Sequence, residues 1–198
     1  MKTEVKPYII KELAKNSFIF EIEEALTPDI CDMIVGRFEN SSSQHYQGRV
    51  GQLAEQALSI KQSTDLAASS HADWKDVDSI LHRSMGLALA ELRNMYPFFR
   101  GPFKDIGYNI QRTEAGQFYH WHIDGGSHDF ADRQLVAVWY LNDVTGPGGE
   151  TEFLFQQLKV TPKKGNMILF PPFWTHEHRG VTLQSGVKYI ATTWLVFA

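Results

Sequence analysis

The sequence predicts an α+β fold: a jelly-roll core, or double-stranded β-helix, with supporting N-terminal helices. Three observations predict it. Apolar residues recur at helical spacing before Pro97, short β-rich runs dominate after Gly107, and turn clusters separate those runs. Helices first and strands afterwards define the class, and many short, evenly spaced strands fit a jelly roll.

The helical part comes first. Thr27-Pro28-Asp29 reads as a helix start, with a hydroxyl placed to cap and proline in the first turn. Ile30, Met33, Ile34 and Phe38 follow at helical spacing, and residues 40–43 stop the run. A longer helix is expected from about Asp73 to Met95. Val77, Leu81, Met85, Ala88, Leu92 and Met95 form its apolar stripe, which reads as core packing, and Pro97 ends it. Strands are expected at residues 108–113, 134–141, 151–155, 167–170, 175–180 and 188–197. Glycine- and proline-rich turns at 125–126, 146–149, 162–165 and 185–186 divide them. No repeat or linker interrupts the chain, so residues 1–198 read as one domain. Helical support occupies about 1–100 and the jelly-roll core about 101–198.

Composition narrows the function. A chain of 198 residues, 43% hydrophobic and 13% aromatic, supports one full core. A formal net charge of −4 gives no reason to expect general nucleic-acid or anionic-membrane binding. No apolar run is long enough to span a bilayer, and residues 1–7 lack the apolar stretch of a signal peptide. Cys31 is the single cysteine, so no internal disulfide forms. A cytoplasmic protein is the expectation.

The chemistry is concentrated in Phe118-Tyr119-His120-Trp121-His122-Ile123-Asp124-Gly125. In an extended chain His122 and Asp124 point the same way. A second pair, His176 and His178, lies downstream. One carboxylate and two imidazoles make the facial set that binds Fe(II) and leaves coordination positions open. Periodicity alone does not choose between His176 and His178, nor exclude His120 as partner of His122. The bland reading of a lone histidine-x-aspartate is a surface turn. The C-terminal strand adds weight. Lys188, Ile190, Thr192 and Trp194 share one face by the period of two. A lysine pointing into a barrel needs an anion, because an unpaired buried charge is costly. A bound dicarboxylate would supply one; a solvent-facing lysine is the bland alternative.

These residues resemble the prolyl 4-hydroxylase-like branch of the 2-oxoglutarate/Fe(II) oxygenases. The resemblance runs from about Tyr108 to Trp194. It includes His122-Ile123-Asp124, Arg133 leading into Trp139-Tyr140-Leu141-Asn142, and Gly149-Glu150-Thr151-Glu152-Phe153. Pro162-Lys163-Lys164-Gly165, His178-Arg179-Gly180, Gly186-Val187-Lys188 and Trp194 complete it. It implies iron ligation by His122, Asp124 and His178. It implies that Lys188 meets the distal carboxylate of 2-oxoglutarate, that the Tyr140 hydroxyl assists, and that Trp194 walls the pocket. At Thr113 the sequence departs from the pattern, since many relatives carry a tyrosine there that also reaches the cosubstrate. The cofactors implied are Fe(II), 2-oxoglutarate and O2, with ascorbate supportive. The retained Asp124 favours hydroxylation over halogenation, because related halogenases replace this carboxylate.

The expected activity is hydroxylation of a substrate C–H bond, with peptidyl proline first. The alternatives are a free amino acid or small metabolite, and a non-catalytic metal-binding barrel. Tyr119 and Trp121 face either substrate or core; His120 and His128 read as pocket or surface residues; Glu150 and Glu152 read as structural. Residues 41–70, and the loop after Asp124 through Asp132, are candidate lids.

Overall fold

The computed structural model describes residues 8–51 and 57–198. Residues 1–7, read above for a leader, and 52–56, inside one candidate lid, lie outside the described residues. The strands are β1 (Ile10–Glu12), β2 (Phe20–Ile22), β3 (Tyr46–Gln47), β4 (Thr64–Ala67), β5 (Phe103–Asp105), β6 (Asn109–Glu114) and β7 (Tyr119–His122). They continue with β8 (Arg133–Tyr140), β9 (Thr151–Phe153), β10 (Leu158–Val160), β11 (Met167–Phe170), β12 (His178–Gly180) and β13 (Val187–Phe197). The helices are α1 (Pro28–Asn40) and α2 (Lys75–Met95).

Two sheets face one another. The larger runs β1-β2-β11-β8-β13-β6-β4-β3, with β5 added on β13; the smaller runs β10-β9-β12-β7. The named strand pairs are antiparallel. The central strands are apolar on both faces because both faces are covered. On β8, Leu135, Ala137 and Trp139 join the helix-side core, while Val136, Val138 and Tyr140 join the core between the sheets. On β13, Tyr189, Ala191 and Leu195 face the helix side, and Ile190 and Trp194 pack against the inter-sheet core. The expected parity of the C-terminal strand is therefore observed.

The helices buttress the outer face of the large sheet. Thr27 caps α1, its Oγ1 accepting from Ile30 N at 3.4 Å. Along α2, Val77, Leu81, Met85, Ala88 and Leu92 are buried as the stripe predicts. Ser84 lies on the same buried face and accepts a hydrogen bond from Trp139 Nε1 at 2.9 Å, fastening helix to sheet.

The structure departs from the sequence reading in four places, one of them β10 (Leu158–Val160), which lies between two expected runs. Five short strands precede Gly107, four of them, β1 to β4, in the half read as helical. Each has two to four residues, too few to display a period. The long helix begins at Lys75, after a 3-10 turn over Ala72–Trp74, and Met95 at its end is exposed. The strand expected at 175–180 is shorter, because Trp174–His176 forms a 3-10 turn before β12. No helix among the described residues is long and apolar enough to cross a membrane.

Candidate metal centre and cosubstrate cavity

β7 and β12 bring the two halves of the metal motif together. Their antiparallel register sets His122 opposite His178, with ring centroids 4.2 Å apart. Asp124 lies two residues beyond β7, where Gly125 N bonds Pro172 O at 2.8 Å and anchors the turn. Asp124 Oδ2 is 3.4 Å from His178 Nε2. One ligand atom from each of His122, Asp124 and His178 lies within 4.8 Å of the others.

Backbone carbonyls set the tautomers. His122 Nδ1 is 2.8 Å from His120 O, and His178 Nδ1 is 2.9 Å from His176 O. A carbonyl only accepts, so each Nδ1 carries the proton and each Nε2 keeps a lone pair for a metal. Burial, then the neighbouring His178, pushes the His122 pKa down to about 3, so its imidazole is neutral. Neutral nitrogens and one carboxylate fit a ferrous ion.

The rival histidines serve through their backbones. His176 directs its ring away from the set, with Nε2 2.8 Å from Ser17 O and Nδ1 2.9 Å from Thr175 Oγ1. The His120 side chain is exposed, as is that of His128. The 3-10 turn separates His176 from His178, a difference that strand periodicity could not reveal.

The three residues open into a cavity of about 750 Å³ between the sheets. Lys188, Ile190, Thr192 and Trp194 all line it, and so does Thr113, which pairs with Lys188 across β6 and β13. Lys188 is only 6% exposed, and its Nζ donates to Gly149 O at 2.7 Å. Burial pulls its pKa down to about 8, with Glu150 opposing. Gly149, at φ +82°, belongs to the turn that supplies this carbonyl. Trp194 Nε1 is buried without an acceptor among the described residues. A buried cation and an orphaned donor on one cavity wall fit an anionic, oxygen-rich ligand such as 2-oxoglutarate. Tyr140 stands one layer back: its hydroxyl donates to Thr151 Oγ1 at 2.8 Å, and Thr151 lines the cavity. Thr151 was not singled out from sequence.

A second part of the cavity lining also went unread. Lys61 and Asp65 form a buried ion pair at 2.7 Å, with side chains 5% and 2% exposed. Ser63 Oγ and Asn109 Nδ2 complete the carboxylate's partners at 2.6 and 3.2 Å. Lys61 Nζ lies 5.3 Å from the Tyr119 ring centroid, and Tyr119 stacks on His122 at 3.6 Å. Residues 60–62 run along β7, with Gln62 N bonding Phe118 O at 2.8 Å and His120 N bonding Ile60 O at 2.7 Å. Part of the first candidate lid is thus a bonded strap, while Gly126, Ser127 and Phe130 of the second line the cavity. Glu152 is structural as expected, bonding Arg179 Nε at 2.6 Å. Asp65→Asn leaves Lys61 as an uncompensated buried charge. A loss of about 3–5 kcal/mol is expected in denaturant unfolding, and an unchanged midpoint would refute the pair's role.

Residues 108–196 match the family model of the 2OG-Fe(II) oxygenase superfamily. A PKHD-type hydroxylase of Synechococcus sp. (strain CC9902) is 29% identical over 89 residues. That stretch spans 43% of this chain and 39% of that protein. Among solved structures, the viral collagen prolyl hydroxylase of Paramecium Bursaria Chlorella virus-1, in a 2OG complex, superposes with a TM-score of 0.68. It is 21% identical, and the match covers 94% of this chain and 99% of that one. A Trichoplax adhaerens prolyl hydroxylase, in complex with a hypoxia inducible factor peptide fragment, gives a TM-score of 0.75 at 15% identity. That match covers 91% of this chain and 84% of that one. A Pseudomonas putida prolyl-4-hydroxylase gives 0.69 at 19% identity, over 91% and 93%. Residues 108–196 thus match the 2OG-Fe(II) oxygenase superfamily model, and the chain has the fold of the prolyl hydroxylases. The grouped His122, Asp124 and His178 are a set that could hold the Fe(II) named by that family model.

Proposed function

We propose that this chain is a prolyl 4-hydroxylase-like dioxygenase that hydroxylates a substrate C–H bond, with peptidyl proline the first substrate to test. The observation that carries the reading is one cavity holding His122, Asp124 and His178 beside the buried Lys188. The peptide bound to the Trichoplax relative supports a peptidyl substrate. In this reading the whole chain is one oxygenase domain, since α1, α2 and the large sheet share a core. A cytoplasmic location belongs to the same proposal, and the buried free thiol of Cys31 is consistent with it.

Each residue has a role its surroundings support. His122, Asp124 and His178 hold the iron. Lys188 anchors the distal carboxylate of 2-oxoglutarate from the cavity wall. Tyr140 orients Thr151 beside it, Thr113 adds a short hydroxyl, and Trp194 offers its indole N–H. Bound iron and 2-oxoglutarate supply the oxidising chemistry, in which decarboxylation of the cosubstrate is coupled to hydroxylation. The chain contributes position and exclusion of water, because the reacting region lies between two packed sheets.

The test is a screen for products that gain one oxygen, run with Fe(II), ascorbate and 2-oxoglutarate. Succinate release is compared between proline-containing peptides and free amino acids. Absence of substrate-stimulated turnover in iron-loaded protein would favour a non-catalytic metal-binding barrel. Tyr140→Phe should weaken 2-oxoglutarate by less than the ~0.5–1.5 kcal/mol of one neutral hydrogen bond, because its hydroxyl acts only through Thr151. Thr113→Val should change affinity little. Anaerobic titration, following the metal-to-ligand charge-transfer band, measures both.

A further inference from the structure

Tyr119 and His122 stand three residues apart on β7, so a regular strand would send them to opposite faces. Both nevertheless line the cavity. A bulge accounts for this. His178 pairs with His122 and Gly180 with Tyr119, so three steps along β7 face two along β12. The two rings then stack, with centroids 3.6 Å apart and planes within 11°. The His120 carbonyl holds the imidazole at Nδ1 alone, about which the ring could still rock. The Tyr119 ring fixes its plane.

Lys61 in turn holds Tyr119. The two residues form an antiparallel bridge, and cross-strand partners share a face. Lys61 Nζ is 5.3 Å from the Tyr119 centroid, inside the about 6 Å reach of a cation–π contact. The ammonium is itself fixed, since Asp65 Oδ2 accepts from it at 2.7 Å. Asp65 is held by Ser63 Oγ at 2.6 Å and Asn109 Nδ2 at 3.2 Å, and Asn109 Oδ1 accepts from the Tyr46 hydroxyl at 3.0 Å. Asp65 and Asn109 belong to β4 and β6 of the large sheet, whereas Tyr119 and His122 belong to the small one. The lysine therefore carries the position of one sheet across to the metal-bearing strand of the other. A complete buried ion pair adds little net stability over apolar side chains of similar volume. Its place beside the metal set points to geometry instead.

We propose that Lys61, fixed by Asp65, is a positioning residue: through the Tyr119 ring it sets the plane of the His122 imidazole and so the direction of Nε2. The proposal rests on the reading of His122 as a metal ligand. It makes metal affinity depend on a side chain that is no ligand.

The experiment uses the full chain and Co(II), whose d–d absorption reports coordination geometry. Lys61→Met combined with Asp65→Asn removes both charges, so neither is left buried without its partner. The metal-free melting temperature of this double variant should stay near that of the unsubstituted protein. Its Co(II) affinity should fall by about 10–100-fold, the usual worth of a contact supporting a ligand, and its d–d bands should change. Lys61→Arg should keep most of the affinity. Tyr119→Leu should lose as much as the double variant, and Tyr119→Phe should keep it, because the ring and not the hydroxyl does the holding. Adding Tyr119→Leu to the double variant should bring no further loss, since both act through one ring. Unchanged Co(II) affinity and spectrum in the double variant would overturn the proposal. So would a loss that adds to that of Tyr119→Leu, or equal affinities in Tyr119→Phe and Tyr119→Leu, a comparison that holds even where the double variant folds poorly. Absence of Co(II) binding by the unsubstituted protein overturns the oxygenase reading and this proposal together, whereas binding indifferent to Lys61 overturns this proposal alone.

Discussion

His178→Ala is expected to abolish 2-oxoglutarate turnover and to lose iron, while His176→Ala keeps both. The His178 imidazole offers Nε2 to the site, whereas both His176 nitrogens are already committed to Ser17 O and Thr175 Oγ1. Loss of a supporting contact around a metal typically costs about 10–100-fold in affinity, so loss of a ligand should exceed that. Asp124→Ala should behave like His178→Ala. His176→Ala should instead lower stability, because a buried ring is removed and Ser17 O loses its donor, a cost of about 1–3 kcal/mol for the carbonyl alone. Metal analysis of the purified variants and their thermal melts separate the two effects. Activity retained in His178→Ala, with loss in His176→Ala, would reverse the assignment.

The second large effect belongs to Lys188. Lys188→Ala should weaken 2-oxoglutarate by about one to two orders of magnitude. A charge-assisted hydrogen bond is worth about 1.5–3 kcal/mol, at about 1.4 kcal/mol per tenfold. Iron binding should change far less, because Lys188 is not among the grouped ligands. The pH dependence follows from burial, which lowers the lysine from 10.5 to about 8. Below about 8 the cation is present and the ligand-free fold bears its desolvation cost. As pH rises from there toward 10.5, the folded protein has shed the proton that the unfolded chain still holds, so this group's contribution to stability rises. Cosubstrate affinity runs the other way. It should be flat below about pH 8 and fall above it, by about tenfold per pH unit at most, since binding must then take up a proton. The charge-transfer titration, repeated on either side of that value, tests both. Unchanged affinity in Lys188→Ala removes the anchor.

What could be read from the sequence followed from how long each pattern was. β13 is eleven residues long, so its parity placed Lys188 and Trp194 on one face, and the cavity confirms it. α2 displays its stripe over 21 residues, and its buried face was read almost residue for residue. β2, β9, β10 and β12 have only three residues each; β9 and β12 were foreseen only within longer runs, and β2 and β10 were not foreseen. The choice of His178 came from resemblance, because a 3-10 turn, invisible to periodicity, turns His176 aside. Lys61 and Asp65 gave no signal, since their spacing fits a helix while the chain there passes through a strap into β4. Thr151 was seen only as part of a motif. Its place behind Lys188 depends on Tyr140, on another strand, reaching across to it.

The strap at residues 60–62 has a consequence for how the protein behaves in a crowded solution. β7 is the outermost strand of the small sheet, and it holds the first histidine of the metal set. Its sequence, Tyr119-His120-Trp121-His122, carries none of the lysines, prolines or acidic residues that discourage strands from pairing with other chains. The backbone bonds from Ile60 and Gln62 occupy the groups that would otherwise template such pairing. Loosening the strap would bare an aromatic strand edge at the same moment that it exposed the cavity. Damage to this segment is therefore expected to show as aggregation together with lost turnover.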